Sequence, residues 1–329
     1  MSKFSALQAR ESAAGGFEQV IVQRDIDDLP AGELLIRVKY SSLNYKDALS
    51  ASGNRGVTKS FPHTPGIDAA GVVEASSVAE FSAGDEVIVA GYDLGMNTSG
   101  GLAQYIRIPA SWALKRPKGL SLREAMVLGT AGLTAALCVD KLEQSGLTPD
   151  AGTVLVTGAT GGVGSVAVAL LTTLGYRVAA STGKAEQADY LKALGAQQIV
   201  LRAELQDGTD KPMLKEQWAG AVDCVGGDIL FNVVKSLRYG ASVACCGLTA
   251  GVGFKGSVLP FILRGVNLLG VDSVELPLVV KASMWDKLSL QWKVKLDALV
   301  TEVTLEQLPD AIAQILAGNQ VGRVLVNLG

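Results

Sequence analysis

The stretch Val154–Leu171, VLVTGATGGVGSVAVALL, decides how the rest of the chain is read. An apolar run is followed by a glycine-dense turn and then by a run of small apolar residues, which is the pattern of a strand, a tight turn and a helix. Gly158, Gly161 and Gly164 are spaced G-x-x-G-x-x-G, with Gly162 added. Glycines here let the backbone turn sharply and come close to a pyrophosphate, and the helix that follows aims its first N–H groups at that charge. The spacing therefore predicts a dinucleotide site whose phosphate contacts run from Thr160 through Gly161 and Gly162 to Val163. No lysine follows the last glycine, so the turn is not a P-loop.

Working outward, strand and helix patterns alternate from about Val154 to Ser273. The strands are VLVTG, RVAAS, QIVL, AVDCV, ASVACCG and NLLGVDS; SVAVALLTTLG, AEQADYLKALG and GDILFNVVKSLRYG read as helices between them. That alternation specifies an α/β fold with a doubly wound parallel Rossmann sheet. Ligands then lie at the carboxyl ends of the strands, which singles out Val225 and Gly226, and the run Cys246, Gly247, Leu248. The second strand ends in Ser181-Thr182-Gly183-Lys184, with no acid to bind a ribose 2′-hydroxyl. A hydroxyl at Thr182 and a cation at Lys184, with Arg202 past the third strand, suit a 2′-phosphate and so predict NADPH rather than NADH.

The first third reads as short strands, ELLIRVKY (33–40), AAGVVE (69–74) and DEVIVA (85–90), punctuated by Gly and Pro, as in a β-rich, barrel-like domain. Ser121–Glu124, SLRE, opens a helix with a capping box. The expected division is a catalytic domain over 1–123 and 295–329 and a nucleotide-binding domain over 124–294.

The chain has 329 residues, 48% hydrophobic and 19% charged, with a formal net charge of −3, an isoelectric point near 5.4 and a mean hydropathy of +0.30. Without clustered Lys and Arg, nucleic acid is not an expected partner. No run reaches the length of an apolar membrane span, and no signal-peptide pattern opens the sequence, so a soluble, cytoplasmic protein is expected. Cys138, Cys224, Cys245 and Cys246 lack metal-ligand spacing, and His63 is the one histidine. Catalytic zinc needs three convergent ligands, so no metal is expected.

Several segments together resemble the medium-chain dehydrogenase/reductase superfamily: PGIDAAGVV (65–73), GDEVIV (84–89), GGLAQY (100–105), GTAGLTA (129–135) and VDCVGG (222–227). The alternative short-chain family shares the TGATGGVG pattern, but none of Tyr176, Tyr190 or Tyr239 has the lysine four residues on that its catalysis requires. Within the superfamily, SSLNYKDAL (41–49) and PFILRGVNLLGVDSV (260–274) are similar to the zinc-independent subgroup of quinone oxidoreductases and acrylyl-CoA reductases. The resemblance implies a GroES-like catalytic domain. It also places Asn44 where zinc-dependent members carry a ligating Cys, and Gly66-Ile67-Asp68 where they carry Gly-His-Glu.

A reductase of this kind passes hydride to an activated double bond, and negative charge develops on the conjugated carbonyl oxygen. Without zinc, hydrogen-bond donors must stabilise it. The resemblance points to Asn44, Tyr45 and Asp47: Asn44 donating from its amide, Tyr45 lining the nicotinamide pocket or donating from its hydroxyl, and Asp47 orienting either group or a water. It also makes Thr130 and Ser273 neighbours of the nicotinamide. Arg264 and Arg323 remain open, each meeting either a phosphate or a carboxylate. The expected acceptor is a short 2-enoyl-CoA such as acrylyl-CoA; the alternatives are a quinone or general enone, and, in another class, an NADPH-binding sensor or structural protein without turnover. The apolar strand VNLLGVDS at the Rossmann edge predicts a homodimer.

Overall fold

The computed structural model describes residues 3–329. By its contacts the chain forms two compact units: the first is 1–130, 274–289 and 299–329, the second 131–273 and 290–298.

In the second unit six strands form one parallel sheet: Thr153–Val156, Arg177–Thr182, Gln198–Leu201, Gly220–Asp223, Ser242–Cys245 and Asn267–Gly270. Numbered in chain order, they lie 3-2-1-4-5-6 across the sheet, the doubly wound order expected. Val154, Leu155, Val156, Val178, Ala179, Val222, Val243 and Ala244 are fully buried, as strands covered on both faces require. The helix Gly162–Thr173 follows the first strand directly and buries Val166, Val168, Leu170 and Leu171. Gly164 has a packing reason to be glycine, since a Cβ there would lie 2.3 Å from the Gly158 carbonyl oxygen.

The first unit is built on a seven-stranded sheet. Leu34–Leu43 lies in it between Asp68–Ser76 and Arg323–Asn327; Glu86–Ala90 and Ala113–Lys115 extend one side, Val300–Val303 ends the other, and Tyr105–Ile108 also pairs with Leu34–Leu43. Every pairing is antiparallel except that of Val300–Val303 with Arg323–Asn327. A separate hairpin, Lys3–Glu11 with Phe17–Asp25, adds a two-stranded sheet that the sequence patterns did not single out. Leu34, Ile36, Val38, Val87, Val89, Leu305, Leu308 and Val326 share one core, so residues near both ends of the chain close it together.

Two features differ from expectation. The helix opened by the Ser121–Glu124 capping box runs over Leu122–Gln144 and is interrupted at Gly129, where φ is 52° and ψ −156°. By length and composition this helix is apolar enough to span a membrane, but 94% of its apolar window is buried within the protein. The second difference is that 274–289, placed with the nucleotide-binding domain by the sequence, packs with the first unit. Lys281 explains this: its buried ammonium donates to the Ala90 and Val274 carbonyls, at 2.8 and 2.7 Å, and sits 3.3 Å from the centroid of the Tyr92 ring.

Candidate active site

In the first unit the strand Leu34–Leu43 ends at Asn44, which caps the helix Tyr45–Ala51. Asp47, three residues on, accepts from the Asn44 backbone N–H at 2.8 Å with Oδ2 and from the Ile67 N–H at 2.9 Å with Oδ1. The Asn44 amide nitrogen donates to Asp68 Oδ2 at 2.8 Å and to Asp47 Oδ2 at 3.2 Å, while its oxygen accepts from Arg323 at 3.3 Å. The orientation of the amide is thus set by acceptors on one side and a donor on the other. Asp68 also accepts from the Ser42 hydroxyl at 2.6 Å, the Thr130 N–H at 2.9 Å and the Thr130 hydroxyl at 2.7 Å. Gly129 is what lets Thr130 reach it: a Cβ at Gly129 would lie 2.5 Å from both Asp68 Oδ2 and Ser42 Oγ.

Burial, and then the neighbouring Asp68 carboxylate, raise the Asp47 carboxyl to about 7. Burial lowers the Arg323 guanidinium against the opposing pull of Asp68 and Asp47. Two carboxyls and one guanidinium therefore share a fully enclosed site.

This geometry alters two expectations. Both Asn44 amide hydrogens are already directed at carboxylates inside the protein, so Asn44 has none to offer an acceptor without breaking a charge-assisted bond. Arg323, left open between a phosphate and a carboxylate, is 1% exposed and bonds the Val127 carbonyl at 2.9 Å as well as Asn44; its place is beneath the cluster rather than at the cofactor. Tyr45, 39% exposed at the first turn of its helix, is the member of the cluster that faces outward. Asp68 and Ser42 complete the cluster, and no sequence signal pointed to them beyond the Gly-Ile-Asp comparison for Asp68.

The residues present do not suit zinc. Asp47 and Asp68 accept from N–H and O–H donors and are under the electrostatic influence of the Arg323 guanidinium; His63 Nε2 bonds the Gly95 carbonyl at 3.0 Å. Among the described residues no group of three or more His, Cys, Asp or Glu is arranged to hold a metal ion.

In the second unit a pocket opens at the carboxyl ends of the first three strands, lined in part by Thr157, Gly158, Thr160, Thr182, Gly183 and Arg202. The helix N-terminus at Gly162, capped by Gly161, lies directly past Thr160, and Val163 is in its first turn. The Thr182 hydroxyl lies 3.3 Å from that of Thr160 and accepts from the Lys184 N–H at 2.9 Å. The Arg202 guanidinium lies across Gly183, where a Cβ would be 2.6 Å from it. Burial and then Arg202 lower the Lys184 ammonium, so two cations stand close enough to repel.

At the switch in strand order, between the strands ending at Val156 and Asp223, Thr157 Oγ1 donates to Asp223 Oδ1 at 2.7 Å and accepts from the Cys224 N–H at 3.0 Å. Cys246 is partly buried just past its strand, Leu248 is 54% exposed, and the Ser273 hydroxyl bonds that of Thr134 at 2.7 Å. Arg264 is absorbed structurally, donating to the Lys235 and Leu214 carbonyls at 2.8 and 2.7 Å.

The comparisons show the class: the chain belongs to the medium-chain dehydrogenase/reductase family. The alcohol dehydrogenase GroES-like domain matches residues 30–118, and the zinc-binding dehydrogenase domain matches residues 162–289. The chain is 46% identical over 327 residues to the acrylyl-CoA reductase AcuI of Ruegeria pomeroyi, covering 99% of each. It is 48% identical over 329 residues to YhfP of Bacillus subtilis, provisionally named a quinone oxidoreductase, again covering 99% of each. The crystal structure of the yhdH oxidoreductase of Salmonella enterica in complex with NADP superposes with a TM-score of 0.96 at 43% identity, covering 99% of this chain and all of that one.

Proposed function

We propose that the protein reduces the double bond of a short 2-enoyl-CoA such as acrylyl-CoA, forming propionyl-CoA. The chain is an NADPH-dependent oxidoreductase; its relatives include an acrylyl-CoA reductase and an oxidoreductase crystallised with NADP. When bound, NADPH would supply the hydride for the β-carbon, leaving a proton to be delivered to the α-carbon. The observation that carries the cofactor reading is the pair of cations at Lys184 and Arg202, with the Thr182 hydroxyl between strand end and pocket, which gives a 2′-phosphate the charge and donors it needs. The turn from Thr160 to Val163 takes the pyrophosphate, while Thr130, Cys246, Leu248 and Ser273 remain proposed neighbours of the nicotinamide half.

In the first unit the Tyr45 hydroxyl is assigned to the carbonyl oxygen on which charge develops. Asn44, Asp47, Asp68 and Arg323 hold the helix that carries Tyr45 and keep its first turn rigid. The second reading, reduction of a quinone or enone, is favoured by the name of YhfP.

NADPH oxidation with acrylyl-CoA and with a simple quinone, side by side at matched low concentrations, separates them. The thioester is expected to win in kcat/KM by a hundredfold or more, about 2.7 kcal/mol of differential transition-state binding. A faster quinone overturns the thioester assignment, and no turnover across a panel of enones points to an NADPH-binding protein.

We also propose a cytoplasmic homodimer joined through the edge strand Asn267–Gly270 and the exposed Val258, Ile262 and Leu263 beside it. Light scattering at micromolar concentration is expected to give twice the chain mass; a monomer defeats the assignment.

A further inference from the structure

Three of the four thiols meet at one point in the second unit, and the reaction proposed above uses none of them as a nucleophile. Cys224 follows the strand Gly220–Asp223 and Cys246 follows its parallel neighbour Ser242–Cys245. Asp223 and Cys245 are register partners, and the Cys246 N–H continues the ladder to the Asp223 carbonyl at 3.0 Å. The two Sγ atoms are 3.9 Å apart. Adjacent strands run about 4.8 Å apart, inside the Cα separation of roughly 4.4–6.8 Å that a disulfide spans. Both cysteines keep part of their surface open, whereas Cys138 is buried. The Cys246 thiol donates to the Asp223 carbonyl at 3.4 Å and to Cys224 Sγ at 3.9 Å; its pairing with Cys138 and Cys224 favours its ionised form and lowers it below the ordinary thiol range, while the same pairing, together with burial, holds the other two well above it.

We propose that Cys224 and Cys246 form a reversible disulfide that weakens cofactor binding when the protein meets a hydroperoxide. The Cys246 thiolate attacks the terminal peroxide oxygen and the O–O bond breaks; the sulfur loses two electrons and the departing oxygen leaves as water or alcohol after taking a proton. Cys224 then attacks the sulfenic sulfur and displaces its hydroxyl, which leaves as water with the Cys224 proton. The balance is two thiols and one hydroperoxide to one disulfide, one water and one further water or alcohol. A dithiol reverses it.

The link to the cofactor is steric. The sulfurs must close from 3.9 Å to about 2.05 Å, and the chain around them has no slack. A Cβ at Gly158 would lie 3.0 Å from the Val225 side chain and 3.4 Å from Cys224 Cβ, so the glycine turn rests on this strand end. A Cβ at Gly247 would lie 2.0 Å from the Cys224 carbonyl oxygen, and Ala250 N–H donates to Val225 O at 2.7 Å. Drawing Cys224 towards Cys246 therefore disturbs the turn from Gly158 that the cofactor reading assigns to the pyrophosphate, and the inference rests on that reading.

The test treats the full-length reduced protein with hydrogen peroxide, with and without saturating NADPH. It maps disulfides by non-reducing peptide mass analysis, counts thiols and titrates NADPH by fluorescence. The expected result is a Cys224–Cys246 crosslink with two thiols lost, NADPH bound at least tenfold more weakly, recovery with dithiothreitol, and slower crosslinking when NADPH is present. In Cys224→Ser the disulfide-forming oxidant diamide is expected to leave NADPH affinity at that variant's own untreated value. No crosslink between these two residues, or a crosslink with unchanged affinity, overturns the proposal. Reduced protein that does not bind NADPH overturns the cofactor reading instead, while the peptide map still reports on the thiol pair.

Discussion

Replacing Arg323 by Met is expected to destabilise the folded chain by about 3–5 kcal/mol, because it leaves buried carboxyls without their compensating cation. The guanidinium is wholly enclosed, and its loss also orphans the Val127 carbonyl and the Asn44 amide oxygen. The damage should depend on pH with a definite sign. The Asp47 carboxyl titrates near 7 in the folded chain and well below that when unfolded, so between these values the folded state holds a proton that the unfolded state lacks. This group's contribution to stability therefore falls as pH rises from about 4 to about 7. His63 opposes it, since burial lowers its imidazole and favours the folded state as pH rises. Without Arg323 the Asp47 carboxyl ionises still less readily, and Arg323→Met should lose more of its stability between pH 5 and pH 8 than the parent does. Urea unfolding at both pH values measures this, and the double variant Arg323→Met, Asp68→Asn should recover a substantial part of the loss. A change below about 1 kcal/mol, or one equal at both pH values, would show that the guanidinium does not balance these carboxyls.

Tyr45→Phe is expected to lower kcat by about a hundredfold to a thousandfold, the usual cost of removing one donor from a developing oxyanion, while leaving stability and NADPH affinity near the parent values. The contrast with Asn44 sharpens the test. Asn44→Ala removes the donor that two buried carboxylates share, so it should cost stability as well as activity. If Tyr45→Phe keeps full kcat while Asn44→Ala loses activity without losing stability, the roles assigned to the two residues must be exchanged.

The two units were not equally legible. In the second, strand, turn and helix follow one another within a few residues, so VLVTGATGGVG carries its own structural context and its helix begins at Gly162 as read. In the first, the decisive neighbours are remote in sequence. Asn44 meets Asp68 across 24 residues and Arg323 across 279. Nothing local to Arg323 distinguishes it from a surface arginine, and a pattern that finds Asn44 cannot tell that its amide points inward. The hairpin Lys3–Glu11 with Phe17–Asp25 was missed for a related reason: its second strand is half-buried at every position but the exposed Gln23, so alternation is weak. The helical break at Gly129 was equally hidden, because its cause is the Asp68 carboxylate that fills the space a side chain would need.

The strand Arg323–Asn327 lies against Leu34–Leu43 in the first sheet and is synthesised long after it. On the ribosome, residues 131–273, most of the second unit, emerge before that strand. The first unit cannot close its sheet until Arg323–Asn327 emerges, so its earlier strands wait with one partner missing. During that interval Asp47 and Asp68 have no guanidinium to be buried with and stay hydrated. Arg323 then completes the cluster beneath the helix of Tyr45, so the first unit is expected to close only after the whole of 131–273 has been made.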